Sequence, residues 1–145
     1  MTDTTITSAN CVFTIVVPSL FPAPVNVQGF SSDKMFAFDS QDIAEIQAGV
    51  DGRMTAGYIY TPPKQTISLQ ADSPSRFIFT TLAQSMKTLR DVFYIAGSLS
   101  IPSTGELFTL NRGVLTNFKP VPDANKVLAP MDFTITWESV NFSLL

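Results

Sequence analysis

The chain has 145 residues, a formal net charge of −3, and charged side chains at only 14% of positions, where soluble domains usually carry about 25%. It contains no His and a single Cys, Cys11. This excludes Ser-His and Cys-His nucleophile pairs, imidazole metal sites, an intrachain disulfide and a zinc knuckle. A length of this order fits one domain, residues 1–145, with a real core. Sparse charge has two readings: a surface covered by partner chains, or a monomer solvated by Ser and Thr hydroxyls. The acidic balance argues against a grip on nucleic acid through phosphate neutralisation.

In chain order, residues 1–9 are polar and form a flexible N-terminal arm. The apolar run that follows stops at Pro18 and is too short for a signal peptide or a membrane span, which implies a protein made in the cytoplasm. Cys11–Val17 is a predicted strand, with Cys11 as a small buried hydrophobe. Pro18, Pro22 and Pro24 predict an extended loop, and Val25–Phe30 a short strand. Phe36-Ala37-Phe38 starts another, its two rings on one face. Ile43–Ala48 and Arg53–Tyr60 flank Gly49-Val50-Asp51-Gly52, a hairpin signal because Gly accepts positive φ. Lys64–Gln70 alternates cleanly.

The predicted helix runs Pro74–Arg90, capped by Ser73, with Pro74 at its first position. Ile78, Leu82, Met86 and Leu89 recur at helical spacing and predict a stripe packed on a sheet, with Arg76 and Lys87 outward. Then come a strand over Phe93–Ile101, a turn at Pro102–Gly105, a strand at Leu107–Leu110, a turn at Asn111-Arg112-Gly113, and a strand at Val114–Phe118. Phe133, Ile135 and Trp137 alternate with polar residues and define the last strand.

No residue pattern specifies catalysis. Asp39 and Asp42 could form a carboxylate pair, but solvated acids on strands are far commoner. Asp51 lacks the further acids that a calcium loop needs. The sequence thus predicts no catalytic, cofactor-binding or metal-binding residues. Its distinctive feature is charge: Asp33, Asp39, Asp42, Glu45 and Asp51 face only Lys34 within residues 33–51, so this stretch carries −4 while the remainder of the chain carries +1.

The run VQGFSSDKMFAFDSQDIAEIQAGVDGRMTAGYIYTPPKQTISLQADSPS, with SIPSTGELFTLNRGVLTNF and the closing ITWES, resembles the tail tube proteins of contractile-tailed bacteriophages, relatives by fold of tailocin and type VI secretion tubes. The resemblance covers roughly residues 10–140. It implies a mainly β fold, a sandwich or barrel with one flanking helix. It also implies a structural virion protein whose six-membered rings stack into an inner tube that DNA crosses during ejection. Implied partners are copies of itself, the sheath, the baseplate and the tail terminator, with assembly in the host cytoplasm and no membrane binding. Asp39, Asp42 and Glu45 are candidate lumen acids. Along an unbroken strand, Asp39 and Glu45 would share a face and Asp42 would oppose them. Ser31, Ser32, Asp33 and Lys34, and the tip Val50, Asp51 and Gly52, are candidate ring-stacking loops. Alternatives are a tube initiator or terminator, or a monomeric β-sandwich binding module. Trp137, the only Trp, alternates into a core-like face rather than an exposed binding face, which disfavours the module.

Overall fold

A computed structural model describes residues 11–30 and 35–144. The fold is mainly β. Seven antiparallel strands form one sheet in the order β2-β1-β7-β8-β9-β6-β3, and β4 and β5 form a separate two-stranded ribbon. The strands are β1 (Val12–Val17), β2 (Phe21–Asn26), β3 (Phe36–Phe38), β4 (Ala44–Ala48), β5 (Met54–Tyr58), β6 (Lys64–Leu69), β7 (Ile95–Ile101), β8 (Glu106–Phe118) and β9 (Met131–Leu144), with α1 (Arg76–Leu89) between β6 and β7. The predicted arm at residues 1–9 and the loop Ser31–Lys34 lie outside the described residues.

One core serves the whole sheet. Phe13, Ile15 and Val17 of β1, Ile67 and Leu69 of β6, and Phe133, Ile135 and Trp137 of β9 are fully or almost fully buried in a single cluster. Each set follows period-2 alternation, which places every second side chain on the covered face. From α1 the cluster takes Phe79, Leu82 and Ala83, and Phe79 stacks on Phe133 with ring centroids 5.2 Å apart. Ile78 and Met86 are half-buried against the same core. Leu89, predicted in the stripe, is instead exposed in the helix's last turn. Arg76, predicted outward, is half-buried and donates from Nη1 to the carbonyl of Ala71 at 2.6 Å.

Three further expectations are corrected. The prolines do not make a loop of residues 19–24: Phe21–Asn26 is an edge strand on β1, with Pro22 and Pro24 exposed. An edge tolerates proline because one side of its backbone has no ladder to feed. The predicted strand Val25–Phe30 correspondingly ends at Asn26, and Phe30 keeps only an isolated bridge to Leu69. The helix starts at Arg76, with Ser75 at its N-cap position and no side-chain cap. Ser73 Oγ donates to the carbonyl of Gln28 and accepts the N–H of Ser75 at 3.3 Å, and Ser75 Oγ accepts the Gln28 N–H at 2.8 Å, so neither hydroxyl caps the first turn. These two buried serines tie the helix start to the chain leaving β2.

Asn111-Arg112-Gly113 is not a turn. It lies within the 13-residue strand β8 and is the site of a register shift against β7, with Arg112 at φ 46°. The cause is long-range. Gly113 lies opposite Trp137, and a Cβ there would sit 2.4 Å from the indole. Gly97 of β7 meets the same ring, so the indole is bedded between two glycines. Its Nε1 donates to Gln65 Oε1 at 3.0 Å, which satisfies one end of a fully buried amide. Across the bulge the core-facing parity changes: Gly113, Leu115, Ile135 and Trp137 face inward on one side, Leu110, Phe108 and Val140 on the other.

Candidate functional site

The residues singled out by charge fall on the β4–β5 ribbon and its two stems. Ala44 pairs with Tyr58, Ile46 with Ala56 and Ala48 with Met54; Glu45 pairs with Gly57 and Gln47 with Thr55. Side chains alternate across a ribbon, so one face reads Ala44, Ile46, Ala48, Met54, Ala56 and Tyr58, wholly apolar. The other reads Glu45, Gln47, Thr55 and Gly57. The turn closes with Gly52 at φ 82° and its N–H on the carbonyl of Gly49 at 3.0 Å. Asp51 Oδ1 accepts the N–H of Arg53 at 3.2 Å.

Every residue of β4 and β5 is exposed. On the apolar face Ile46 is 60% exposed, Met54 67% and Tyr58 80%. A two-stranded ribbon with an uncovered apolar face is at best marginally stable on its own, and contiguous exposed apolar surface marks an interaction site. The two stems bond to each other, and Tyr60 ties them to β9 of the body. Tyr60 Oη donates to the carbonyl of Glu138 at 2.6 Å, Thr61 Oγ1 to the carbonyl of Asp42 at 3.0 Å, and Ile59 N–H to Ile43 at 3.1 Å. Glu138 also faces Arg112 at 3.9 Å, and the Arg112 guanidinium lies 4.3 Å from the Tyr94 ring centre. These charges are more than half exposed, so their contribution is small.

The candidate lumen acids do not share one strand. β3 ends at Phe38 and β4 begins at Ala44, so the parity argument linking Asp39 to Glu45 does not apply. Glu45 lies on the polar face of the ribbon. Asp39, whose N–H bonds the carbonyl of Lys64 at 3.0 Å, and Asp42 belong to the incoming stem, and all three are exposed. Val50, Asp51 and Gly52 form the fully exposed tip. Ile78, Leu82 and Met86 are remote from the ribbon, on α1. Cys11 is half-buried and its surroundings push the thiol pKa up, which lowers its reactivity. Among the described residues no cluster of three or more His, Cys, Asp or Glu could hold a metal ion. No helix there is long and apolar enough to cross a membrane.

Sequence reasoning saw the acids and missed the apolar face. The signal was present: Ala-Glu-Ile-Gln-Ala and Met-Thr-Ala-Gly-Tyr both alternate, and a short turn between them sets apolar against apolar.

Chains of similar fold occur among solved structures. A chain of the anti-feeding prophage cap, described as the tube terminating cap, matches with a TM-score of 0.63 and 15% identity, over 100% of this chain and 95% of that one. A chain from the sheath/tube terminator of the PVC extracellular contractile injection system matches with a TM-score of 0.62 and 10% identity, over 99% of both chains. A chain from the PVC sheath-tube complex in the extended state gives 0.59 and 13%, over 97% and 93%. At these identities the likeness is one of fold. No curated protein matches in sequence. A family model described as tail fiber protein gp32 matches residues 4–141, nearly the whole chain including the ribbon, the helix and most of β9, and the protein therefore belongs to the tail fiber protein gp32 family.

Proposed function

We propose that residues 1–145 act as one structural, non-catalytic unit of a contractile tail or tail-like particle. Copies associate into rings, six to a ring, and the rings stack into the inner tube. The observation that carries this reading is the β4–β5 ribbon: all ten strand residues are exposed while one face is wholly apolar. A monomer gains nothing from such a face, whereas a ring covers it with neighbouring copies. The likeness in fold to chains from tube-containing particles supports the same reading, as does a surface poor in charge. With the apolar face turned to protein, the face bearing Glu45, Gln47 and Thr55 is left for the lumen. One carboxylate per copy repels DNA phosphates, so a passing strand slides rather than sticks. Sheath, baseplate and terminator are the implied partners, and the mature location is the particle, assembled in the host cytoplasm.

Sedimentation velocity and negative-stain imaging across a range of concentration and salt test this. Rings or tubes are expected, and monomers under every condition would refute it. A second reading is a tube terminator, favoured by the cap and terminator chains among the similar structures. It predicts single rings that do not lengthen with concentration and that bind preformed tube ends.

A further inference from the structure

Strand β9 outruns its neighbour β6. β6 pairs with it over Met131–Thr136, and the last bond on that side runs from Trp137 N–H to the carbonyl of Pro63 at 2.8 Å. Pro62 and Pro63 end the ladder there, since proline brings no N–H to it. From Glu138 to Leu144, β9 is paired with β8 alone among the described residues. This open stretch contains no proline.

Backbone alternation fixes which groups are free. In an antiparallel strand the N–H and C=O of one residue face the same neighbour, and those of the next residue face the other. Trp137 turns its N–H to the β6 side, and Glu138 turns its carbonyl there too, where it accepts the Tyr60 hydroxyl at 2.6 Å. The alternation slips at this point, where the core-facing parity of β9 also changes. Beyond it Val140, Phe142 and Leu144 turn their backbone groups to the open side. On the ribbon, Ile59 N–H goes to the carbonyl of Ile43 at 3.1 Å, and the carbonyl of Arg53 accepts Gly49 N–H at 2.7 Å. The odd-numbered residues therefore serve β4, while Met54, Ala56 and Tyr58 turn their backbone groups outward. Where the stem descends, Tyr58, Ile59 and Tyr60 flank Ser139, Val140 and Asn141 across a gap of about 250 Å³.

We propose that the ribbon is a strap that closes on this edge, β5 adding to β9 as its antiparallel neighbour. Counted from the Tyr60–Glu138 contact, Tyr58 comes opposite Val140, Ala56 opposite Phe142 and Met54 opposite Leu144. Both faces then match. Met54, Ala56 and Tyr58 join the apolar side of β9, where the Phe142 ring already lies 5.8 Å from that of Phe108. Thr55 and Gly57 join the polar side, beside Ser143 and Asn141. Closure makes one four-stranded sheet in the order β8-β9-β5-β4, hinged at Thr61–Pro63. It belongs to a single chain and does not require the ring proposed above.

In a Cys11→Ser background, Thr55→Cys and Ser143→Cys are made in the same chain, both at exposed positions. Closure sets them directly opposite in a non-hydrogen-bonded pair, within disulfide reach. Mild oxidation of the unassembled protein should give an intrachain bridge, read as a faster-migrating monomer on a non-reducing gel. Gln47→Cys with Ser143→Cys lies one strand further out and should bridge about tenfold more slowly. Ala56→Pro removes one outward N–H without touching the bonds to β4, and should slow the first bridge about tenfold. No intrachain bridge, a bridge formed only between chains, or an Ala56→Pro chain that bridges as fast as its parent overturns the strap. Because the bridge is read on the unassembled chain, failure of the unmodified protein to form rings overturns the ring alone.

Discussion

Gly113→Ala should unfold the subunit more readily than any other single-methyl addition in the sheet, and the size of the effect follows from the geometry. The new Cβ would meet three indole carbons of Trp137 at 2.4, 2.6 and 2.8 Å. Carbon atoms in contact settle at about 3.5–4.0 Å, so the ring or β8 must move by about 1 Å. The ring has little room to move, because it is 0% exposed and lies so close to Gly97 that a Cβ added there would stand only 3.2 Å from it. Overpacking of this kind costs about 1–3 kcal/mol. Movement also strains the bond from Trp137 Nε1 to Gln65, whose Nε2 already lacks a partner in the core. Losing that bond adds about 1–3 kcal/mol. A total of about 2–6 kcal/mol lowers Tm by roughly 5–25 °C for a chain near this size. The assay is urea and thermal unfolding of the unassembled subunit, followed by the fluorescence of its only Trp. Gly57→Ala is the control: nothing lies within 4 Å of its added Cβ, and the shift should stay within about 0.5 kcal/mol. A Gly113→Ala protein that unfolds within 1 kcal/mol of the parent, on the order of the smallest overpacking penalty, would refute the close-packed account of the bulge.

Leu82→Ala removes a fully buried side chain from the helix face that meets the sheet and should cost about 2–5 kcal/mol through lost burial and a cavity; an unchanged unfolding midpoint would show that α1 is not docked through Leu82. Glu45→Lys changes an exposed residue on the polar face of the ribbon, so assembly should persist while DNA transit slows, most strongly at low salt where screening is weakest. Transit at the unmodified rate in low salt would remove Glu45 from the lumen.

What could be read from the sequence was local or periodic. Asp51-Gly52 between alternating runs specifies a hairpin, the helical spacing of Ile78, Leu82 and Met86 specifies α1, and Phe133-Ile135-Trp137 specifies the covered face of β9. What escaped depends on partners distant in sequence. Asn111-Arg112-Gly113 has turn composition, and only Trp137, two dozen residues on, makes it a bulge inside a strand. Ser73 has cap composition, yet its hydroxyl serves Gln28. Pro22 and Pro24 read as breakers because nothing local says that β2 lies at an edge. At the ribbon, charge drew the eye to Asp39 and Asp42, which sit on a stem, while the alternation that defines the apolar face passed unread.

The prolines of β2 have a consequence for traffic among free subunits. A chain that must accumulate before it assembles is exposed to every wrong encounter that its unpaired strands permit, and an open edge is the commonest template for runaway sheet growth. Across Pro22–Pro24 that template lacks two amide donors, so a stray strand arriving there cannot zip up. The other edge of the large sheet, β3, is three residues long and offers little purchase. Edge-to-edge fibre growth is thereby disfavoured at both edges of the large sheet, whereas the strands of the ribbon carry no proline.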